Sequence, residues 1–124
     1  MDDKNKSSIT KDFLNELRQV NEERAIDWQD GRPSDPLFWA VELGGEVGEI
    51  LNVVKKLRRE EFGWRGSRAT IDDLAEEVAD GLICLDSLAR HYDINLAQAT
   101  AAKFNKTSEK NGFPHRIYYG KDDE

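Results

Sequence analysis

Two acidic pairs of identical spacing stand out in the 124-residue chain: Glu46-Val47-Gly48-Glu49 and Glu77-Val78-Ala79-Asp80. Three residues is close to one helical turn, so each pair projects two carboxylates from one side of a helix. The residues between them are apolar or small, which a solvated charge stripe does not require. If the two helices pack face to face, four carboxylates converge. Like charges held that close cannot all stay ionised unaided. Divalent cations relieve the repulsion, and carboxylate oxygens suit Mg²⁺ or Mn²⁺. A lone acidic pair would mean little in a chain with 35% charged residues. Two pairs, each beside the core stripe of a long helix, mean more. Residue types alone still leave open a structural or regulatory bundle with solvated acidic faces.

Four helices are expected to position these groups. The first starts near Thr10 and carries Phe13, Leu14, Leu17, Val20 and Ala25 at helical spacing, with Trp28 near its end. Asp30-Gly31-Arg32-Pro33-Ser34 breaks it. Asp35 can cap the second helix, and Pro36 fits its first turn. Leu43, Val47, Ile50, Val54 and Leu57 form its core stripe, with Glu42, Glu46 and Glu49 alongside. Gly44, Gly45 and Gly48 each cost this helix about 1 kcal/mol relative to Ala. Close approach of another backbone or a ligand would offset that, and tight helix packing is the plainer account. Lys55-Lys56-Leu57-Arg58-Arg59 suits a C-terminal dipole, as a solvated face or as a docking patch for phosphates. Glu60 to Ala69 reads as a loop able to fold over a site.

Thr70 caps the third helix, with Asp72 and Asp73 in its first turn. Leu74, Val78, Leu82, Leu85 and Ala89 give its core stripe. Asp73, Glu77 and Asp80 share a neighbouring stripe, which Cys84 continues as a small packing residue. Asn95 and Gln98 resemble a capping box that opens a fourth helix, running to about Lys110 before Gly112-Phe113-Pro114. Ile117, Tyr118 and Tyr119 would pin the tail to the body or to another subunit. No segment alternates as a core strand does. The expected fold is all-α, a four-helix domain over residues 10–116, between a flexible 1–9 and a tail at 117–124.

Composition narrows the function. The length suits one domain. No apolar run approaches a membrane span, and Met1 to Lys6 lacks an apolar signal region, so neither a membrane nor export is expected. A single cysteine fits a reducing cytoplasm, the host's if the chain is viral. A net charge of −7 argues against stable nucleic-acid binding, and a helix-turn-helix over Leu88 to Ala101 would lack clustered basic residues. A redox di-iron bundle needs Glu-x-x-His pairs, and neither His91 nor His115 follows a Glu by three. There is no Walker-type loop and no Cys-His nucleophile pair. An oxygen-only site for hard cations remains. Its natural substrate is a phosphate ester or anhydride, and its natural nucleophile is activated water.

The run from Trp39 to Glu49 resembles the first motif of the MazG-like, all-α nucleoside triphosphate pyrophosphohydrolases, and Leu74 to Ile83 resembles their second, a Glu-x-x-Asp helix. Lys103-Phe104-Asn105-Lys106 resembles the family's basic stretch, and Arg24 to Trp28 the end of its first helix. The resemblance covers roughly residues 10 to 116. It implies hydrolysis of a nucleoside triphosphate at the α–β bond, to a monophosphate and pyrophosphate. Glu46, Glu49, Glu77 and Asp80 match the family's metal ligands, for two or more Mg²⁺ (or Mn²⁺) ions. Lys56, Arg59, Lys103, Asn105 and Lys106 would serve the phosphates. A homodimer or homotetramer is implied, with sites near subunit contacts.

The chain also departs from the family pattern. Many members carry a second Glu just before the first motif's Glu, where this chain has Gly45. The general base is then open among Glu46, Glu42 and Glu76. Some relatives place a base-stacking aromatic one turn after the motif Asp, where this chain has Cys84. Trp28, Phe38, Trp39 and Trp64 are the aromatics available to stack on a base, and a small Cys84 would leave room for a bicyclic one. The chain also looks somewhat like short phage and bacterial members, some of which convert dGTP to dGMP. A purine deoxynucleotide, dGTP first, is therefore the expected substrate. The alternatives are a house-cleaning hydrolase of dCTP or dUTP, and a non-catalytic nucleotide-binding bundle.

Overall fold

The computed structural model describes residues 12–30, 32 and 35–118. They form four helices: α1 (Phe13–Gln29), α2 (Pro36–Glu61), α3 (Ile71–His91) and α4 (Leu96–Lys110). No strand occurs among the described residues, so the fold is all-α as expected. The helices do not close symmetrically. α2 and α3 pack along each other as a long hairpin, α1 lies on α3, and α4 touches α1.

The helix starts follow their sequence signals. Asp35 accepts a hydrogen bond from the Leu37 N–H at 2.9 Å, with Pro36 in the first turn of α2. Thr70 and Asp73 form a reciprocal box at the start of α3. The Asp73 N–H donates to Thr70 Oγ1 at 3.1 Å, and the Thr70 N–H donates to Asp73 Oδ2 at 2.8 Å. The Thr70 N–H first, and then the Thr70 side chain, hold the Asp73 carboxyl below its ordinary value, with Lys56 adding to the shift. Asn95 accepts from the Gln98 N–H at 3.0 Å and opens α4. Thr10, the expected cap of the first helix, lies outside the described residues, as does Tyr119.

A buried polar knot ties α1 to α3. Asp86 and Ser87 are the largest side chains fully removed from solvent. Arg18 Nε donates to Asp86 Oδ1 at 2.8 Å, and Asn21 Nδ2 donates to Asp86 Oδ2 and to Ser87 Oγ, both at 3.0 Å. A second Arg18 nitrogen donates to the Ile94 carbonyl at 2.7 Å, which fastens the turn after α3. Each carboxylate oxygen has its own donor, as burial of a charge requires.

The apolar stripes sit less deeply than their spacing suggests. Ala25, Val53, Ala69, Cys84, Ala89 and Ala101 are buried, but Val47, Val54, Val78, Leu82 and Leu85 are exposed, as are Phe13 and Val20 on α1. The spacing identified a common side, but no element among the described residues covers that side of the hairpin. The loop after α2 also departs from expectation. It folds back on its own helix, with Arg59 donating to the Ser67 carbonyl at 3.2 Å and Trp64 stacked on Phe62.

Asp86→Ala should destabilise the fold by about 3 kcal/mol, because it strands Arg18 and Asn21 in a partly buried place. Thr70→Ala should cost about 1 kcal/mol through the lost cap. Urea unfolding followed by circular dichroism measures both. The Asp73 carboxyl, held low when folded, contributes stability above its ordinary 3.8 that is lost as pH falls through the lowered value.

Candidate metal centre

The α2–α3 hairpin brings one oxygen each of Glu46, Glu77 and Asp80 within 4.8 Å of one another. Glu46 comes from α2, and Glu77 and Asp80 are one turn apart on α3. Gly81 sits where the two helices meet. A Cβ there would lie 3.3 Å from Ile50 Cδ1, so the missing side chain lets the helices approach beside the carboxylates. Three of the four expected ligands are thus brought together. Glu49, one turn along α2 from Glu46, is exposed and outside the trio.

Glu46 and Asp80 of the trio open on a cleft of about 650 Å³ between α1 and the hairpin, which Glu77 does not line. Glu42, Glu46 and Asp80 lie on its acidic side, and Cys84 and Ile83 floor it. Trp28, Phe38 and Trp39 supply rings, with Phe38 and Trp39 edge to face at 5.2 Å. Arg24 and Arg32 bring positive charge, and the Arg24 guanidinium sits 5.5 Å from the Trp28 ring centroid. The Trp39 indole nitrogen is shielded from solvent and has no hydrogen-bond acceptor among the described residues. A buried donor left unmatched costs about 1–3 kcal/mol, so an acceptor arriving in the cleft would be favoured there.

The crowding has an electrostatic consequence. Glu46 is pushed above its ordinary value, first by partial desolvation, then by Asp80, Glu77, Glu49 and Glu42. The Cys84 thiol is also pushed up, mainly by burial and then by Glu46, Glu42 and Asp80. Cys84 is therefore a small, protonated wall of the cleft, not a nucleophile.

Among the other expected site residues, Trp28, Glu42 and Cys84 line the cleft and Glu76 does not. None of the expected phosphate-binding residues lines it either. Lys56 lies near Asp73 at the start of α3, and Arg59 holds the loop after α2. Lys103 and Lys106 are exposed on α4. Asn105 is occupied at both ends: Nδ2 donates to the Ile117 carbonyl at 2.8 Å, and Oδ1 accepts from the Ile117 N–H at 2.7 Å. It anchors the tail. The cations that do reach the cleft, Arg24 and Arg32, escaped sequence reasoning because neither belongs to a charge run. Their place beside Trp28 and the break after α1 was the available signal.

The Glu46 shift fixes a pH dependence. Its folded value is raised, so the protonated carboxyl favours the folded state. That contribution is present below the ordinary 4.5 and is lost as pH rises through the folded value. In chelator, Glu46→Gln should therefore melt above wild type at pH 7, with the difference closing toward pH 4. Thermal melts at a series of pH values read it, and an identical gap at every pH would overturn the crowding.

Searches of known protein families, curated proteins and solved structures find no match to the chain.

Proposed function

We propose that the chain is a divalent-metal-dependent hydrolase of nucleoside triphosphates, cleaving the α–β bond to give a monophosphate and pyrophosphate. One juxtaposition carries the reading: three carboxylates from two helices meet, and two of them, Glu46 and Asp80, line a cleft that also holds aromatic rings and two arginines. Carboxylate oxygens suit hard cations, guanidinium suits phosphate, and an indole stacks on a base. The resemblance of both acidic motifs to the MazG-like family agrees with this combination.

The donor set fits Mg²⁺ or Mn²⁺, since all three ligands are carboxylates and the repulsion that raises Glu46 is what a cation would relieve. When bound, the metal supplies charge neutralisation at the phosphate oxygens and an acidified water. The chain's own residues do the rest. Glu46, Glu77 and Asp80 would hold the metal, and Glu49 lies one turn along α2 outside the trio. Arg24 and Arg32 take the outer phosphates, which orients the pyrophosphate leaving group. Trp28, Phe38 and Trp39 take the base and exclude water from one side. Glu42 lines the cleft outside the trio, one turn before Glu46, and accepts the proton as water attacks the α-phosphorus. The bond to the bridging oxygen breaks, and that oxygen leaves with pyrophosphate. Small Cys84 leaves space for a bicyclic base, so a purine deoxynucleotide is the preferred substrate, with dGTP first and dCTP or dUTP as the competing choice.

A nucleotide panel with Mg²⁺, with products separated by ion-exchange chromatography, should yield dGMP and pyrophosphate from dGTP. Asp80→Asn and Glu77→Gln should lower kcat/KM at least 100-fold, about 2.7 kcal/mol, with unchanged helical signal. Turnover in chelator, or release of diphosphate and phosphate, refutes the chemistry. A tenfold preference for a pyrimidine, about 1.4 kcal/mol, refutes only the choice of base.

A further inference from the structure

Where α2 ends and the loop into α3 begins, the hairpin is chemically unlike the rest of the molecule. Six of the chain's 18 basic side chains lie between residues 55 and 68, with two of its 25 acidic ones, Glu60 and Glu61. Arg58 pairs with Glu61 at 2.6 Å, and Lys56 lies by Asp73. Lys55, Arg65 and Arg68 are exposed and form no ion pair among the described residues. Flat groups are stacked in the same place. The Arg58 guanidinium sits 4.2 Å from the Phe62 ring centroid, and Phe62 and Trp64 stack at 4.8 Å with 25° between their planes. Arg58 and Phe62 are four residues apart, so the helix itself aligns them. The loop is fastened behind them. The Trp64 N–H donates to the Arg59 carbonyl at 3.0 Å, and the Arg59 guanidinium donates to the Ser67 carbonyl at 3.2 Å. Gly66 has a φ of +126°, and a Cβ there would collide with the Arg59 guanidinium, so glycine lets this clasp close. Trp64 is nonetheless 61% exposed. With Leu51 and Val54 it walls a hollow of about 510 Å³, rimmed by Lys55, Arg58 and Arg59.

We propose that this platform binds single-stranded nucleic acid, one base stacking on Trp64 and the neighbouring phosphates resting on Lys55, Arg65 and Arg68. An indole with a stack behind it and a hollow beside it accepts a flat ring, and unpaired bases are flat rings flanked by negative charge. An acidic peptide brings the charge without the ring. An anionic membrane calls for rings that project into lipid, whereas Phe62 and Trp64 turn their faces to each other and the indole walls a recess. A duplex keeps its bases stacked among themselves, so the platform selects single strands. The net charge of −7 does not oppose this, because the charges are segregated along the hairpin. Glu46 lies about 22 Å back along α2 from its last residue, Glu61, at 1.5 Å per residue. That is about two screening lengths at 0.1 M salt, so a strand on the platform feels little of the acidic cleft. The inference does not depend on the hydrolase reading.

The test is made in chelator, which silences metal-dependent turnover. Anisotropy of a labelled oligothymidylate should report binding by the full chain at about 50 mM salt. With three phosphates neutralised, affinity should fall about twentyfold by about 200 mM salt. A duplex of the same length should bind at least tenfold more weakly. Trp64→Ala should weaken strand binding at least fivefold, and Arg65→Glu with Arg68→Glu at least tenfold. Lys103→Glu, at an exposed position on α4, should leave it unchanged. Where a loop variant alters the helical signal, the wild type decides: photocrosslinking to a 5-bromouracil strand should attach at Phe62 or Trp64. Crosslinks confined to the cleft aromatics overturn the proposal. So does equal binding of the duplex or of polyglutamate of equal charge, strand affinity insensitive to Trp64, or capture by phosphatidylglycerol vesicles in preference to the strand.

Discussion

The cleft exists because a carboxylate is buried at the α1–α3 contact. Asp86 is fully removed from solvent, and three donors from two α1 side chains, Arg18 and Asn21, satisfy it and its neighbour Ser87. A buried charge tolerates few arrangements, because any shift that breaks one hydrogen bond leaves an expensive orphan. An apolar contact between these helices could slide by a turn at little cost. This one cannot, so the register of α1 on α3 is fixed. Arg24 lies about one to two turns and Trp28 about two to three turns further along α1, and the knot sets their height over Asp80 and Cys84.

The hairpin divides opposing requirements between its flanks. One flank concentrates negative charge until Glu46 resists ionisation, and the other concentrates apolar surface. Neither flank is satisfied among the described residues. A cation is what would relieve the charged side. Gly81 serves both, since the close helix approach it permits brings the carboxylates together and aligns the aliphatic stripes into one sheet of side chains. A bulkier residue there would loosen the two flanks at once.

Much of this was legible in the sequence, for local reasons. Caps at Asp35, Thr70 and Asn95 are encoded by residues within three positions of each other, so spacing suffices to find them. The trio of Glu46, Glu77 and Asp80 follows from helical period plus pairing of the two helices. The knot was not legible. Arg18, Asn21, Asp86 and Ser87 are polar residues whose partners lie more than 60 positions away, and no periodic pattern links them. The one hint was an Asp-Ser pair inside the apolar run of α3. Burial depth was also illegible, because a hydrophobic stripe has the same spacing whether its partner is in the same chain or in another.

Positive charge gives the sharpest contrast between pattern and placement. The basic runs at residues 55–59 and 103–106 are conspicuous in sequence, yet the cleft takes its cations from Arg24 and Arg32. Helix geometry explains why. The acidic pair at Glu46 and Glu49 sits near the middle of α2, and Arg59 lies about 15–20 Å further along the same axis at 1.5 Å per residue. A side chain cannot reach back that far, and Arg59 instead holds its own loop. α1 crosses α3 nearer the trio, and the break after it lies beside the start of α2. Isolated arginines at the end of a neighbouring helix therefore reach the site, where a longer run on the same helix cannot.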